Sequence, residues 1–298
     1  MTITVILNGL PKKKKKFFNK IYPALRQHFA LDLFETQHAA HAEELAFQAG
    51  KNNAAIILAS GGDGTLHQVV NGILKSENTL PILGLIPLGS ANDFASTCFL
   101  KSGPQQIVQL LQAMQPKPTD LGKIRCVASN GKETLRYFVN VCSVGMGPEV
   151  VKRLASSSQM LGPSFSYFTS ILSTFISHRP QEVYCKAPSC EWKGKARVLA
   201  LANGKAFGDS TYIAPEAEID DGLLNSFIAG DLPLWKFLLY LQSIKGKKKI
   251  KDSMIHYNTT EQVELSSPAF CALEADGELI GRLPASIEIM RGKINFLR

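Results

Sequence analysis

The regular alternation of strand-like and helix-like segments over roughly the first 120 residues most constrains how this chain can fold. The segments "ITVIL" (3–7) and "AAIILA" (54–59) are short apolar runs typical of buried strands. Apolar residues recur through 66–74 at the spacing of one helix face. The other elements predicted here are a helix carrying Phe17, Ile21 and Leu25, a strand at 31–36, a helix at 38–50 and a strand at 81–89. Such alternation indicates βαβ units and a mostly parallel sheet, hence an α/β domain at the N-terminus.

The pattern changes after "QPKPTDLG" (115–122), where short strand-like segments such as "ARVLALANG" and "EQVELSS" are separated by turn residues. This texture favours an antiparallel, β-rich, sandwich-like second domain. Two apolar helices are predicted to interrupt it, at about 164–177 and 233–244. The "RGK" at 291–293 predicts a hairpin turn.

We therefore divide the chain into an α/β domain, residues 1–122, and a β-rich domain, residues 123–298. We expect the last strands to pack back on the first domain. Hydrophobic residues make up 45% and charged residues 19% of the chain, which is typical of a globular protein. The net charge of +8 indicates an anionic partner, such as a nucleotide, nucleic acid or an acidic membrane surface.

Targeting and metal-binding signals are weak in this sequence. The start, "MTITVILNG", is too short and too alternating for a signal peptide, and no apolar run reaches the length of about 20 residues that spans a bilayer. We expect a cytoplasmic protein that does not span the membrane. The six cysteines are irregularly spaced without C-x-x-C, which predicts reduced and mostly buried thiols. His38 and His41 share a helix face but have no evident third ligand, so a surface helix is favoured over a metal site.

A glycine-rich loop, "ASGGDGTLHQVVNG" (59–72), lies between a buried strand and an amphipathic helix, where α/β sheets bind ligands. Glycines allow main-chain N–H groups to approach an anion, and the helix, predicted to begin near Thr65 or Leu66, adds a positive dipole end. Asp63 suits such a site if Mg²⁺ lies between it and a phosphate. A tight turn with a polar tip explains the loop equally well, since it is neither a Walker A loop nor G-x-G-x-x-G.

A second glycine segment, "IPLGSANDF" (86–94), ends the next predicted strand. It offers a hydroxyl at Ser90, an amide at Asn92 and a carboxylate at Asp93. Because neighbouring parallel strands end at the same edge of a sheet, both loops would open into one cleft. Two such loops favour a phosphate site over two unrelated turns.

The segments "GGDGT" and "PLGSAND" resemble the catalytic domain of diacylglycerol kinases, sphingosine kinases and bacterial YegS-type lipid kinases. "GGDGT" alone also occurs in phosphofructokinases and NAD kinases. Further matches follow in the family's order, so that the resemblance covers nearly the whole chain: "VILNG" (5–9), Thr36, "DLG" (120–122), "VNVCSVGMG" (139–147), "LANG" (201–204), "PEAEIDDGLL" (215–224) and "EADGE" (274–278). The sequence departs from the family in "NGLPKKKKK" after the first strand and in Ser90, where threonine is commoner.

The resemblance implies an N-terminal α/β nucleotide-binding domain and a cleft between the two domains. In that cleft the γ-phosphate of ATP would be transferred to a lipid hydroxyl, that of diacylglycerol, phosphatidylglycerol or a similar lipid. The positions that match ATP-binding residues are Asn8, Thr36, Gly61, Gly62, Asp63, Gly64, Thr65, Leu66, His67, Gln68, Gly89, Ser90 and Asn92. Asp63, Asp93 and Asp120 match the carboxylates around a catalytic Mg²⁺.

The same resemblance implies a second, structural Mg²⁺ or Ca²⁺ at Glu218, Asp221 and Leu223, with Glu218 and Leu223 contributing main-chain carbonyls. Glu278 matches the general base, with Asp276 as its partner. From the residues alone, these two acids flank a glycine near a hairpin end and would face the same side of a strand. A solvated acidic turn is the alternative.

Two lysine runs, "KKKKK" (12–16) and "KGKKKIK" (245–251), are candidates for contact with phosphate or membrane. The first follows a strand and lies near the predicted cleft. The second follows the apolar "LWKFLLYLQSI" (234–244), which suits docking on an anionic membrane. A core helix with a basic C-terminus is an equal alternative, and either run can be a solvated face.

These features predict a lipid kinase that is peripheral to the inner face of the membrane. A soluble-substrate kinase of the NAD kinase or phosphofructokinase type is the main alternative, disfavoured by "PLGSAND" and the C-terminal "DGE". A basic nucleic-acid-binding protein is disfavoured because RNA-binding aromatic motifs, zinc fingers and basic zippers are missing from the sequence. We therefore expect no nucleic-acid partner. The sequence leaves the oligomeric state open.

Overall fold

The computed structural model describes residues 2–156, 163–188, 190–208 and 211–298. The chain forms two compact units. The first unit comprises Met1–Thr119 and Gly292–Arg298, and the second comprises Asp120–Arg291. The chain therefore returns to its first unit for its last seven residues.

The first unit alternates strands and helices along the chain. Its strands are β1 (Thr2–Leu7), β2 (Ala30–Glu35), β3 (Ile56–Gly61) and β4 (Ile82–Pro87). Its helices are α1 (Pro11–Lys16), a π-helical segment (Phe17–Ile21), α2 (Tyr22–Arg26), α3 (His41–Lys51), α4 (Asp63–Lys75), α5 (Asp93–Thr97) and α6 (Pro104–Ala113).

The sheet of the first unit is parallel, as the alternation predicts. Its order is β2-β1-β3-β4, and every pair in it is parallel. Residues 295–296 at the end of the chain pair with β4, also in parallel. Phe17, Ile21 and Leu25 are fully buried against the strand residues of this sheet, which confirms the predicted helix face. Every residue of β3 is buried, as expected of a central parallel strand.

The second unit is mostly antiparallel. Its strands are β5 (Pro116–Val127), β6 (Glu133–Phe138), β7 (Val141–Gly145), β8 (Gln181–Ala187), β9 (Cys190–Ala196), β10 (Val198–Ala202), β11 (Leu224–Ala229), β12 (Ile255–Thr260), β13 (Gln262–Ser266), β14 (Ala272–Ala275) and β15 (Glu278–Leu297). Its helices are α7 (Met146–Ser156), α8 (Pro163–Ser177) and α9 (Leu234–Lys245). Strand β5 begins, and strand β15 ends, in the first unit.

Antiparallel pairing joins β12, β11, β10, β7, β14 and the start of β15 in that order. Successive side chains of β10 enter two different apolar clusters. Leu199 and Leu201 pack with residues of β13 and β15, whereas Ala200 and Ala202 pack beneath α8 and α9. Both faces of this strand are therefore buried, and the predicted β-rich, sandwich-like domain with two apolar helices is confirmed.

Two local predictions were wrong. Residues 291–293 do not form a hairpin turn, because β15 continues through them with Gly292 in the left-handed region at φ 55°. Helix α4 begins at Asp63, ahead of the predicted Thr65 or Leu66, because Gly62 is its N-cap.

The cysteines match the expectation, since all six are free and only Cys190 is not buried.

Candidate active site

The two glycine-rich loops of the first unit touch through their main chains. A Cβ atom placed on Gly62 would lie 2.9 Å from the Cα of Gly89, and one placed on Gly89 would lie 2.5 Å from the Cα of Gly62. Any side chain at either position would force the loops apart. Leu88 N–H donates to the carbonyl of Gly61 at 2.7 Å and holds the two strand ends in register.

Asp63 joins the two loops. Its Oδ1 accepts the N–H of Phe94 at 3.1 Å, and its Oδ2 accepts the N–H of Asp93 at 3.2 Å. The carboxylate thus caps the first turn of α5 from the start of α4. Asn92, at φ 54°, closes the second loop through two 2.8 Å bonds with the main chain of Gly89.

The loops after β1 and β2 are tied to the same edge of the sheet. Asn8 Nδ2 donates to Thr65 Oγ1 at 3.0 Å. Thr36 Oγ1 accepts the N–H of Gly9 at 2.9 Å, and a Cβ on Gly9 would lie only 2.0 Å from the carbonyl oxygen of Thr36. The polar residues that follow all four strands therefore gather at their carboxyl ends, where open α/β sheets bind ligands.

This edge fits the phosphates of a nucleotide. The N-cap of α4 is Gly62, which has no side chain to cap the helix, and the N-terminus of a helix is suited to binding an anion. Burial lowers the pKa of Lys13, while the charge of Asp63 acts in the opposite direction, which places a cation near that carboxylate. The buried Ser60 Oγ, in β3, has no hydrogen-bond partner within the described part of the chain.

Two of the residues matched to ATP binding have buried side chains. The side chain of Leu66 is fully buried, and its N–H bonds to the carbonyl of Gly62 at 3.1 Å within α4. His67 is also buried, and Asn71 Nδ2 donates to its main-chain carbonyl at 2.9 Å. Helix geometry turns these two side chains into the core, whereas Ser90 is exposed and Gln68 is half-buried.

In the second unit, the "DGE" segment forms the tight turn between β14 and β15. Asp276 and Gly277 both have positive φ, 50° and 84°, as a two-residue hairpin turn of this type requires. The carboxylate of Asp276 accepts three main-chain N–H groups, from Val139 at 2.9 Å, Asn140 at 2.9 Å and Val141 at 3.2 Å. The expectation that Asp276 and Glu278 lie on one strand is wrong, because Asp276 lies in the turn; Glu278 begins β15 and is half-buried.

Sequence reasoning missed Glu274, two residues before Asp276. Its side chain is fully buried, and burial raises its pKa to about 8, with the nearby charge of Asp276 adding to the effect. Ser143 Oγ donates to its Oε1, and the N–H of Gly277 donates to its Oε2 at 3.1 Å. The carboxyl group of Glu274 therefore stabilises the turn through this bond. The sequence signal for its special role was an acidic residue within an otherwise apolar strand.

The loop before β11 gathers carboxyl groups. Asp120 Oδ2 accepts the N–H of Gly222 at 2.7 Å, and Asp221 Oδ1 accepts the N–H of Leu223 at 2.9 Å. Burial raises the pKa of Asp221, and the charges of Asp120, Glu218 and Asp220 raise it further. This concentration of negative charge fits a hard cation. Lys205 offsets part of it through a 3.1 Å ion pair with Glu218.

The predicted catalytic carboxylates fall in different units. Asp63 and Asp93 belong to the first unit, and Asp120 belongs to the second.

In the described ranges, one group of three side chains has the spacing of metal ligands. It consists of His38, His41 and Glu44, whose ligand atoms all lie within 4.8 Å of one another. The expectation that His38 and His41 lack a third ligand nearby is therefore wrong. His41 Nδ1 is already the acceptor of the Gln37 N–H at 3.0 Å.

Comparison with known proteins gives these features a family. Residues 2–124 match the family described as diacylglycerol kinase catalytic domain, and residues 140–298 match the YegS C-terminal NAD kinase beta sandwich-like domain. A diacylglycerol kinase from Bacillus anthracis shares the fold, with a TM-score of 0.72 at 19% identity over 99% of this chain and 96% of that one.

Two relatives are both named "Probable lipid kinase YegS-like". The protein of Xanthomonas axonopodis is 32% identical over 232 residues, which cover 76% of this chain and 73% of the relative. The protein of Yersinia enterocolitica is 26% identical over 293 residues, covering 97% and 94%. The second family match alone spans more than half of the chain, and it follows the first in the family's order. The chain therefore belongs to the family of YegS-like lipid kinases and is a kinase.

Proposed function

We propose that this protein transfers the γ-phosphate of ATP to the hydroxyl group of a membrane lipid, such as diacylglycerol or phosphatidylglycerol. The observation that carries the proposal is the main-chain contact between Gly62 and Gly89, with Asp63 bonded across it, in a member of a lipid kinase family. Relatives named lipid kinase or diacylglycerol kinase support the acceptor class.

The first unit would bind the nucleotide. Bound ATP with Mg²⁺ supplies the phosphoryl group and neutralises much of its charge. The N–H groups at the start of α4 would hold phosphate oxygens, and the contact between Gly62 and Gly89 would keep the second loop beside them. Asp63, fixed by the α5 main chain, would orient the cation, and Asn8, Thr36, Ser90 and Asn92 would line the rest of the site.

The turn before β15 would serve the acceptor. Glu278 would take the proton of the lipid hydroxyl as general base. Asp276 would keep the turn in place through its three main-chain N–H bonds, which support a positioning role. Glu218, Asp221 and Leu223 would hold a structural Mg²⁺ or Ca²⁺, supported by the raised pKa of Asp221.

Family membership favours a lipid over a soluble acceptor, and nothing in the described site favours nucleic acid. Because the substrate lies in a bilayer, we propose peripheral contact with the anionic inner face of the membrane from the cytoplasm. No helix in the described part of the chain has both the length and the apolar character needed to cross a bilayer.

The test uses radiolabelled ATP with a panel of lipid alcohols in mixed micelles, beside soluble acceptors, with Mg²⁺ and then with a chelator. We expect one lipid class to be labelled in a Mg²⁺-dependent way. Asp63→Asn should remain folded and lose turnover, because an amide does not neutralise the cation. Labelling of soluble acceptors alone, or near-normal kcat in Asp63→Asn at saturating Mg²⁺, would contradict the proposal.

A further inference from the structure

Helix α9 is apolar on two opposite sides, although a helix at the surface of a domain normally has one apolar face. Its inner side is formed by Phe237, Tyr240 and Ile244, which pack on the cluster beneath β10 and β11. The ring of Phe237 stacks on Phe175 of α8 at a centroid distance of 4.4 Å. The inner side therefore accounts for the part of the helix that belongs to the core.

The outer side carries large apolar residues that face solvent. Trp235 is 64% exposed, Leu239 is 62% exposed and Leu238 is 44% exposed. These three residues, with Leu234, are spaced so that they form one stripe along the helix, which we call the α9 stripe. Exposed apolar residues of this size in one stripe mark an interaction surface more often than isolated ones do.

The orientation of the stripe is fixed. Asp252 accepts hydrogen bonds from Lys236 Nζ at 2.5 Å and from Tyr240 Oη at 2.6 Å. Tyr240 belongs to the inner side of the helix and Lys236 lies next to it. The two bonds therefore oppose a rotation of α9 about its axis that would bury the stripe. The neighbouring α8 continues the apolar surface of the unit with Phe168 and Ile176, which are 39% and 68% exposed.

Positive charge lies at the end of the same helix. Lys245, Lys247, Lys248, Lys249 and Lys251 are all exposed. Lys249 forms an ion pair with Glu216 at 2.5 Å, and the ammonium of Lys247 lies 4.6 Å from the ring centre of Tyr212. Within the described ranges no ion pair is formed by Lys245, Lys247, Lys248 or Lys251, so the end of α9 presents a net positive field.

We propose that the α9 stripe and the lysines that follow it dock on the surface of an anionic bilayer, with the stripe inserted at the headgroup level. An apolar helix side bordered by cations suits both parts of such a surface, since acyl chains receive the apolar groups and anionic headgroups the lysines. A protein partner would require a complementary acidic rim around an apolar groove. The biological role of this docking rests on the lipid kinase activity proposed above. Binding to vesicles can be measured without that activity.

Binding is measured without ATP, by flotation with vesicles of phosphatidylglycerol and phosphatidylcholine and with vesicles of phosphatidylcholine alone. We expect binding to the anionic vesicles that weakens with salt. Trp235→Ser with Leu239→Ser should lower it, and Lys247→Gln with Lys248→Gln should lower it roughly tenfold or more. Phe270→Ser is the matched control, because Phe270 is 65% exposed elsewhere in the same unit. It should bind like the unaltered protein.

A second measurement reports the insertion directly. The chain has two tryptophans, so Trp192→Phe leaves Trp235 as the only source of tryptophan fluorescence. Its fluorescence should shift to the blue on anionic vesicles and be quenched by brominated lipid. Unchanged flotation of Trp235→Ser with Leu239→Ser, or a shift that follows protein concentration without vesicles, would overturn the proposal. Kinase activity on a short-chain soluble lipid should survive both double substitutions, which separates failure of docking from failure of the proposed activity.

Discussion

At the residue scale, the two acids of the "DGE" turn have different surroundings and should give different kinetic effects. Glu278→Gln removes the proposed base and should lower kcat by about 10²–10⁴-fold with little change in the affinity for ATP. Asp276→Asn keeps the shape but offers its three N–H donors a weaker acceptor, so it should lower the thermal midpoint as well as kcat. Steady-state kinetics, ATP titration and melting curves separate the two. Equal loss of ATP affinity and rate in Glu278→Gln would assign it to the nucleotide site.

Glu274 makes the stability of the protein depend on pH. Its pKa is raised to about 8, whereas in the unfolded chain it should lie near its ordinary value of 4.5. Between these values the unfolded chain releases a proton that the folded protein keeps. Stability should therefore fall as pH rises from about 4.5 to about 8, by up to about 1.4 kcal/mol per pH unit, and the contribution should be constant above that.

The variant Glu274→Gln tests this linkage. Glutamine remains neutral, so the fall in stability across this window should be smaller than in the unaltered protein. Asp276 and Cys142 also face this group, and both remain in the variant, so the difference between the two pH curves reports Glu274 together with its coupling to them. Urea unfolding at several pH values measures it. Parallel curves would show that Glu274 is ionised in the folded protein.

At the element scale, the contact between α3 and α4 depends on one glycine. A Cβ on Gly72 would lie 2.2 Å from the main-chain oxygen of Glu43 and 2.8 Å from the Cβ of Ala46. In Gly72→Ala, overpacking should cost roughly 1–3 kcal/mol of stability. The higher helix propensity of alanine should return about 1 kcal/mol of this, so we expect a net loss of stability. Gly230→Ala is the control, because its nearest contact would be an ordinary 3.4 Å. Equal midpoints in urea for both variants would mean that the helices separate without cost.

The elements also show how much the sequence could predict. The strand at residues 54–59 follows from a short apolar run, and the helix face at residues 66–74 follows from apolar periodicity. Both signals depend on neighbours along the chain. The conformation of residues 291–293 depends instead on contacts with distant residues. Gly292 has the positive φ that a turn would need, but pairing with distant strands continues β15 through it. The burial of Glu274 likewise depends on β7, which lies more than a hundred residues earlier.

The candidate site was predictable to a similar degree. The two glycine loops could be assigned to one sheet edge because parallel strands share their carboxyl ends. Packing at the level of single side chains was not available, so the burial of the Leu66 and His67 side chains was not predicted. The role of Asp276 needed the positions of three N–H groups of β7 and the residues before it, which only the fold supplies.

At the scale of the whole molecule, residues near the end of the sequence stabilise the first unit. Phe296 is fully buried, and its ring meets Phe94 edge-on at a centroid distance of 5.2 Å. Phe94 is also the residue whose N–H bonds to Asp63. Phe296→Ala should cost about 3–5 kcal/mol and weaken nucleotide binding. Urea unfolding and ATP titration measure both, and Phe270→Ala should change stability by less than about 0.5 kcal/mol. A variant with lower stability but unchanged nucleotide affinity would separate the two effects.

The return of β15 to the first unit has a consequence for biosynthesis. Strand β4 pairs with β3 on one side, and on its other side it pairs with residues 295–296, near the end of the 298 residues. While the ribosome is still translating, the edge of the nascent N-terminal sheet at β4 has no native strand to cover it, and it stays a template for pairing with other chains. The sheet is completed only after residues 295–296 have been synthesised and have left the ribosome. Stop codons shortly before residue 295 should therefore yield aggregation-prone products rather than slightly shortened enzymes.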